Sequence, residues 1–354
     1  MSAHIVAGAP EPVRFGVIGL GAMGRNHVRV VAEMSGLQLV AVADPSIEAR
    51  EQVAKARRVP AYARYEDMLT AENLHAVIVA VPTSFHEEVA VTAMEAGCHV
   101  LVEKPLASSV EGAERVVAAA AAAGVVATVG HIERYNPAVT KLRAFLDEGA
   151  LGHIHQIRAT RTGPLPERIQ DVGVVVDLAT HELDVIRYLV GSTVESVHAE
   201  CAQRIHSVHE DLATGLLRFA NGTIALLDVN WLTPVKIREL SVVGAGGMYT
   251  LDYVGQNLLF HENSHTSYWP AMAGRQGVSE GNMIQYQIDR AEPLRLELAS
   301  FADAIRGVAN GLVPLSDGVA AIALAETMLQ SSKIHSTISG DDLPAVLTNV
   351  GVKG

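Results

Sequence analysis

A glycine-rich segment near the amino terminus has the residue types and spacing of a phosphate-binding turn. Gly19, Gly21 and Gly24 form a G-x-G-x-x-G pattern directly after an apolar run and before a helical pattern. Glycines at these positions allow a tight turn and let backbone N–H groups approach a pyrophosphate at a helix N-terminus. Asp44 ends the next apolar run, 20 residues after Gly24, where its carboxylate can bind ribose hydroxyls and repel a 2′-phosphate. The pattern predicts a dinucleotide site that favours NAD over NADP.

A second group able to do chemistry is Glu103-Lys104-Pro105, which follows a later apolar run. Open α/β sheets bind ligands at the carboxyl ends of their strands. Lys104 is therefore a candidate catalytic residue beside a cofactor. The alternative is an ordinary solvated lysine after a strand.

Asp177 and His181 are spaced i, i+4 within a predicted helix around Val174–Leu189, so they share one face. The same stripe continues through Asp184 and Tyr188. The opposite, apolar face consists of Leu178, Val185, Ile186 and Leu189. This pattern places His181 off the core side, as a surface histidine or as part of a site, while Asp177 either takes part in that site or caps the helix.

These side chains need elements to position them, and residues 13–130 alternate apolar runs with helical stretches. Strands are predicted at 13–20, 37–44, 76–81, 99–105 and 125–130, with helices near 22–35, 46–57, 85–96 and 110–123. Near-continuous apolar strands are typical of a parallel sheet covered by helices on both faces. The sequence predicts an α/β Rossmann domain, a doubly wound parallel sheet, over 13–130, after a flexible N-terminus at 1–12.

From residue 131 strand follows strand, which indicates an α+β domain over 131–354 with a large, mainly antiparallel open sheet. Strands are predicted at 194–203, 212–219, 223–231, 237–243 and 247–252, and Asn221-Gly222 suits a hairpin turn. Residues 261–290 are predicted to form a long loop, and helices are predicted near 294–309 and 316–332.

Composition excludes several classes of protein. Lys and Arg number 27 against 39 Asp and Glu, a formal charge of −12, and the absence of a basic patch argues against nucleic-acid or membrane partners. With only two cysteines, Cys98 and Cys201, neither a disulfide framework nor a cysteine-based zinc site is expected. The low cysteine content fits a reducing, cytoplasmic setting, and no signal peptide is recognised in Met1 to Pro12. His153/His155 and His206/His209 lack a third ligand at a recognisable spacing, so a metal-free site is predicted.

Seven segments of this chain, taken in order, resemble the Gfo/Idh/MocA family (glucose-fructose oxidoreductase, inositol dehydrogenase and MocA). They are GVIGLGAMGRNH, VADP, VPTSFH, VLVEKPLA, VGHIERYNP, LGHI and DLATHELDVIRYLVG. Their common order, across about residues 13–191, makes the match specific. The resemblance implies a Rossmann domain, an α+β domain whose open sheet supports a homodimer or homotetramer, and a small-molecule sugar substrate held between the domains over the nicotinamide.

The resemblance also implies roles for individual residues. Lys104 matches the family lysine near the nicotinamide ribose and substrate, and Asp177 and His181 match its Asp-x-x-x-His pair. Oxidising a sugar hydroxyl needs a hydride acceptor and a base, and whether Lys104 or His181 moves the proton stays open. The predicted cofactor contacts are Gly19, Gly21, Ala22, Met23, Gly24, Asp44, Val81, Pro82, Thr83, His86, Glu103 and Lys104.

Within the family, GHIERYNP, Arg161-Thr162-Gly163-Pro164 and Glu292-Pro293-Leu294 resemble UDP-N-acetylglucosamine 3-dehydrogenases and related nucleotide-sugar enzymes. The predicted substrate contacts are Lys104, Glu133, Arg134, Asn136, Arg161, Arg168, Asp177 and His181. The three arginines can meet a diphosphate through paired N–H donors, or they form ordinary ion pairs, and the segment 131–137 can equally be a polar linker. Two other functions stay open, an inositol or free-sugar dehydrogenase and a non-catalytic NAD-binding sensor.

Overall fold

The computed structural model describes residues 11–166, 172–264, 279–308 and 311–348. Contacts divide the chain into two compact units, one of Met1–Gly130 with Leu294–Leu315 and the other of His131–Pro293 with Ser316–Gly354. This division differs from the expected second domain over 131–354, because 294–315 belongs to the first unit.

Packing explains this return of the chain to the first unit. Phe301 meets Phe15 edge to face, with ring centroids 6.0 Å apart. The hydroxyl of Thr128 donates to the carbonyl of Val313 at 2.8 Å. The apolar pattern near 294–309 predicts a helix correctly, but a period alone does not say which sheet that helix covers.

The first unit is built on a six-stranded parallel sheet in the order β3-β2-β1-β4-β5-β6. Its strands are β1 Val13–Ile18, β2 Leu37–Ala43, β3 Ala61–Tyr62, β4 Ala76–Val79, β5 His99–Glu103 and β6 Ala127–Gly130. Its helices are α1 Ala22–Glu33, α2 Ile47–Arg57, α3 Tyr65–Ala71, α4 His86–Glu95, α5 Val110–Ala123 and, later in the chain, α8 Pro293–Ile305. The predicted doubly wound sheet is confirmed; β3 and α3 had no predicted counterpart because both are short.

Strand burial and capping explain why these elements form. Every residue of β4 is buried, as expected for a central parallel strand with helices on both faces. Ser109 caps α5 by accepting the Gly112 N–H, and Gly124 ends the helix in the left-handed conformation at φ +66. These signals begin and end α5 between the parallel strands β5 and β6.

The second unit is built on a nine-stranded sheet in the order β14-β13-β12-β11-β7-β10-β9-β8-β15. Its strands are β7 Ile154–Pro164, β8 Val194–Ala202, β9 Leu212–Phe219, β10 Ile224–Asn230, β11 Leu232–Gly244, β12 Gly247–Asp252, β13 Asn257–Ser264, β14 Ser279–Tyr286 and β15 Ile338–Ser339. Among the described strands of this sheet only β7 and β10 pair in parallel, so the mainly antiparallel sheet is confirmed. Its helices are α6 Pro137–Asp147, α7 Thr180–Val190, α9 Leu315–Ile334 and α10 Ala345–Thr348.

One prediction in this unit is wrong, and one predicted helix is confirmed with a π-helical first turn. Residues 261–290 are not one loop, because Asn257–Ser264 pairs with both β12 and Ser279–Tyr286; residues 265–278 lie outside the described part. The outermost strand exposes successive side chains, Gly281 to Gln285, so alternation is lost from its sequence. The helix predicted around Val174–Leu189 is a π-helical turn, Val175–Ala179, followed by α7.

Within the described ranges, no helix is both long and apolar enough to cross a membrane.

Candidate active site

The three glycines of the motif in the first unit differ in whether a side chain would fit at their positions. Gly19 lies at φ +90, and a Cβ there would come within 2.4 Å of the Ala80 carbonyl oxygen. A Cβ on Gly24 would lie 1.8 Å from the Gly19 carbonyl oxygen, whereas one on Gly21 would meet no atom within 4 Å. The turn therefore requires glycine at 19 and 24, and the absence of a side chain at Gly21 leaves open space beside the backbone.

Helix α1 begins at Ala22 and Met23 directly after this turn, with Gly21 as its N-cap. Its first turn carries no acidic side chain and no side-chain cap. Backbone N–H groups and the positive end of the helix dipole are consequently available to an anion. This cradle fits the pyrophosphate of a dinucleotide.

Asp44 lies beside the glycine turn, at the carboxyl end of β2. Its Oδ2 accepts the Leu20 N–H at 2.7 Å, and its Oδ1 accepts the Ser46 N–H at 2.8 Å. Each carboxylate oxygen can accept more than one hydrogen bond. Asp44 is therefore held in place by the backbone while retaining capacity for ribose hydroxyls.

The loop after β4 contains the predicted cofactor contacts Val81, Pro82, Thr83 and His86. His86 is buried, with Nδ1 2.7 Å from the Pro105 carbonyl oxygen and Nε2 2.9 Å from the Val81 carbonyl oxygen. Burial lowers the pKa of His86. A neutral ring donates through one nitrogen only, so one of these two carbonyls accepts a hydrogen bond from His86. Both ring nitrogens face backbone carbonyls of the β4 loop and the Lys104-Pro105 turn.

Glu103 is the last residue of β5 and Lys104 follows it; the structure places a further residue, His27, beside them. The buried His27 on α1 brings its Nε2 to 2.7 Å from Glu103 Oε1, and Glu103 Oε2 accepts the Lys104 N–H at 3.2 Å. Burial alone would raise the pKa of Glu103, but the hydrogen bond and charge of His27, with Lys104, hold it below its usual value. The signal for His27 was its position three residues after Gly24.

In the second unit, Asp177 lies in the π-helical turn and His181 in the first turn of α7. Both side chains are partly exposed. Glu210, in the segment just before β9, braces this turn, because the Val175 N–H donates to Glu210 Oε1 at 3.2 Å and the Val174 N–H to the Glu210 carbonyl at 2.9 Å. Single π-helical turns within helices are common at functional sites.

Asp184, a member of the predicted polar stripe, is buried, whereas Asp177 and His181 are partly exposed. Arg134 Nε and Nη2 donate to the Asp184 carboxylate at 2.8 and 2.5 Å, and Arg134 Nη1 lies 2.8 Å from Asp317 Oδ2. The Arg134 guanidinium also stacks over the Tyr188 ring. A diphosphate at Arg134 would have to displace these carboxylates.

Arg161 is likewise enclosed by carboxylates, with only 1% of its surface exposed. Its Nε donates to Glu182 Oε1 at 2.5 Å and its Nη2 to Glu133 Oε1 at 2.6 Å. The Tyr253 hydroxyl donates to Glu182 Oε2 at 2.9 Å. Burial opposes ionisation of Arg161, but the Glu182 and Glu133 charges raise its pKa. This cluster joins β7, α7 and the turn before α6.

Two other predicted substrate contacts have different outcomes. Asn136 is buried; its Oδ1 accepts the Ala138 N–H as the cap of α6, and its Nδ2 donates to the Tyr253 carbonyl at 3.1 Å. Arg168 lies outside the described residues. Among the described residues no three His, Cys, Asp or Glu side chains are grouped to hold a metal ion; the metal-free site stays a prediction.

Comparison with known proteins identifies the family. Residues 13–131 match the family model described as an oxidoreductase family with an NAD-binding Rossmann fold, and residues 139–250 match the GFO/IDH/MocA C-terminal domain. The chain belongs to the Gfo/Idh/MocA family. This Gfo/Idh/MocA protein is thus an NAD-dependent oxidoreductase, and the glycine cradle and Asp44 would hold its cofactor.

Its relatives act on different sugars and polyols. UDP-N-acetylglucosamine 3-dehydrogenase of Acidithiobacillus ferrooxidans is 30% identical over 83% of this chain and 88% of its own. scyllo-Inositol 2-dehydrogenase (NAD(+)) of Bacillus subtilis is 30% identical over 86% of this chain and 88% of its own. A crystal structure of the Acidithiobacillus enzyme superposes with a TM-score of 0.80 at 27% identity, covering 91% of this chain and 97% of that one.

Proposed function

We propose that this protein transfers a hydride between a sugar hydroxyl or ketone and NAD, acting on a nucleotide-linked sugar such as UDP-N-acetylglucosamine. The observation that carries the proposal concerns Lys104, Asp177 and His181. These three side chains are partly exposed, whereas the charged neighbours Glu103 and Asp184 are buried. The three side chains that can exchange a proton with a substrate, or stabilise charge on it, are thus accessible to that substrate.

Each of the three residues has a distinct task in this proposal. The bound nicotinamide supplies the hydride acceptor or donor. His181 takes the hydroxyl proton, since imidazole is a common general base near neutral pH. Lys104 stabilises the developing alkoxide, and Asp177 orients the sugar or His181. The reverse assignment, with Lys104 as the base, uses the same side chains.

Replacement of the two proton-handling candidates tests the catalytic part. Lys104→Met and His181→Ala are each expected to lower turnover by at least about 10²-fold while leaving NADH affinity, measured by fluorescence titration, nearly unchanged. Matched controls are Lys55→Met and His155→Ala, which remove exposed side chains from the same two units. Near-normal turnover in both test variants would overturn the assignment.

The substrate class is tested by steady-state NAD reduction with UDP-N-acetylglucosamine, myo-inositol and glucose under identical conditions. Support for the nucleotide sugar comes from the Acidithiobacillus relative, whose name gives that substrate. Binding energy from the nucleotide can orient the reacting hydroxyl, so the free sugar should lose both affinity and turnover. Efficient inositol oxidation without a response to UDP-sugars would reject this substrate class.

An inositol or free-sugar dehydrogenase is the second candidate function, and the scyllo-inositol relative, matched over a similar length, favours it. We also propose that the protein forms a homodimer or homotetramer through the nine-stranded sheet. A cytoplasmic location is proposed separately, since Cys98 and Cys201 are both free thiols.

A further inference from the structure

Arg238 on β11 stands out among the cations of the second unit. It pairs in register with Arg161 on the neighbouring strand β7. Residues paired across antiparallel strands project to the same face of the sheet, and like charges placed in this way repel each other. The two arginines therefore need compensating negative charge on one face.

Of the two arginines, only Arg161 forms hydrogen bonds with carboxylates in the described part of the chain. Arg161 donates to Glu182 and Glu133, as described above. The Arg238 guanidinium makes no ion pair or hydrogen bond with any residue in the described part of the chain, and its Nε is buried without an acceptor. A guanidinium has five N–H donors, and leaving buried donors unmet is costly.

The surroundings of Arg238 are electrostatically mixed. Burial and then the charge of Arg161 lower the pKa of Arg238, while Glu133, Glu182 and Asp177 act in the opposite sense. Asp177 is the residue proposed to orient the reacting sugar. Arg238 is thus close enough to that carboxylate for its charge to be felt, without hydrogen bonding to it.

Lys236 extends the same positive surface toward solvent. It lies two residues before Arg238 on β11, so both side chains project to one face of the strand. Lys236 is exposed, and the charge of Arg238 is the largest cause lowering its pKa. A half-buried guanidinium beside an exposed ammonium matches an oxyanion that enters from solvent.

We propose that Arg238, assisted by Lys236, binds an oxyanion of the substrate. The oxyanion that we assign to this site is the diphosphate of the nucleotide sugar. The choice of a diphosphate rests on the proposed function; a carboxylate on the sugar offers the same oxyanion chemistry. This assignment replaces Arg134 and Arg161, whose donors already contact carboxylates. Arg238 is a specificity-determining residue here, with no part in moving the proton.

The test measures UDP and glucuronate binding by calorimetry in the presence of NADH, together with thermal unfolding. Arg238→Met should weaken UDP binding by about 10- to 100-fold, the loss expected for one charge-assisted contact, and Arg238→Lys should restore part of it. NADH affinity and the melting temperature should be unchanged or higher, because an unmet charge is removed. Arg158→Met, an exposed arginine of β7, is the control.

The outcomes separate this inference from the proposed function. If the unaltered protein oxidises UDP-N-acetylglucosamine and Arg238→Met binds UDP normally, the inference is wrong and the function stands. If only glucuronate binds and Arg238→Met abolishes that binding, the oxyanion site stands and the nucleotide-sugar function is wrong. A marked fall in melting temperature, or no binding of either anion to the unaltered protein, would also overturn the inference.

Discussion

Arg161→Met should destabilise the protein instead of acting only on substrate binding. Arg161 bridges Glu182 and Glu133, and its guanidinium lies 5.4 Å from the centroid of the Tyr253 ring. Glu182 is fully buried, so removing the arginine leaves a carboxylate without its counter-charge. Breaking a buried ion pair from one side costs about 3–5 kcal/mol, mainly because the remaining charge is uncompensated.

This energy translates into a measurable change in melting temperature. For a folding unit of about 150–250 residues, 1 kcal/mol shifts the melting temperature by about 2–4 °C. Arg161→Met should therefore melt roughly 10 °C lower, as followed by circular dichroism or differential scanning calorimetry. Arg158→Met, on the same strand but exposed, should change stability by no more than about 0.5 kcal/mol.

A double variant identifies the cause of the loss. Arg161→Met/Glu182→Leu removes the uncompensated carboxylate and should recover most of the stability, since apolar replacements of buried pairs are often neutral. The Tyr253 hydroxyl then loses its acceptor, at about 1 kcal/mol. The reasoning is refuted if Arg161→Met melts like Arg158→Met and instead raises the KM for a nucleotide sugar, which is the role that the sequence predicted.

Three further predictions concern Asp44, the glycine turn and the buried carboxyl of Glu297. Asp44→Ser should narrow the preference for NAD over NADP, as measured by the ratio of their dissociation constants; an unaltered ratio would show that Asp44 does not meet the ribose. Gly24→Ala should lower both melting temperature and NADH affinity, whereas Gly21→Ala should lower affinity alone, because only the Gly24 Cβ collides with the chain. Glu297 is buried, its carboxyl oxygens have no partner among the described residues, and burial followed by the Glu103 charge raises its pKa well above the usual value. The folded state thus retains this proton when the unfolded chain has lost it, so stability falls as pH rises above about 4.5. Glu297→Leu should raise the melting temperature more at pH 8 than at pH 5, unlike the exposed control Glu95→Leu; an equal gain at both pH values would contradict a buried, proton-retaining carboxyl.

Local patterns were sufficient to predict the glycine turn and the parallel strands of the NAD-binding Rossmann domain. The glycine spacing, the apolar strand before it and Asp44 after it are set by short-range requirements, namely backbone conformation and a one-strand separation. The hydrophobic runs likewise predicted the parallel sheet, because burial on both faces leaves a direct trace in each strand. The order of the family segments then predicted the oxidoreductase class.

Long-range partners lay beyond the sequence. Nothing around Arg134 or Arg161 reveals that Asp184 and Glu182, distant in the chain, neutralise them, and a helical period cannot predict that Asp184 points inward. The strand β13 was missed because pairing with β12, rather than its own alternation, holds it in the sheet.

The same limit explains what was overlooked at the candidate site. His27 becomes notable only when the fold places it against Glu103, 76 residues away. Arg238 becomes notable only because its neighbour across the strands obtains carboxylates and it does not. The sequence determined which residue types are present and which local turns they form. Tertiary packing decided which charges are compensated by a carboxylate among the described residues and which are not, because electrostatic pairing depends on distance in space rather than along the chain.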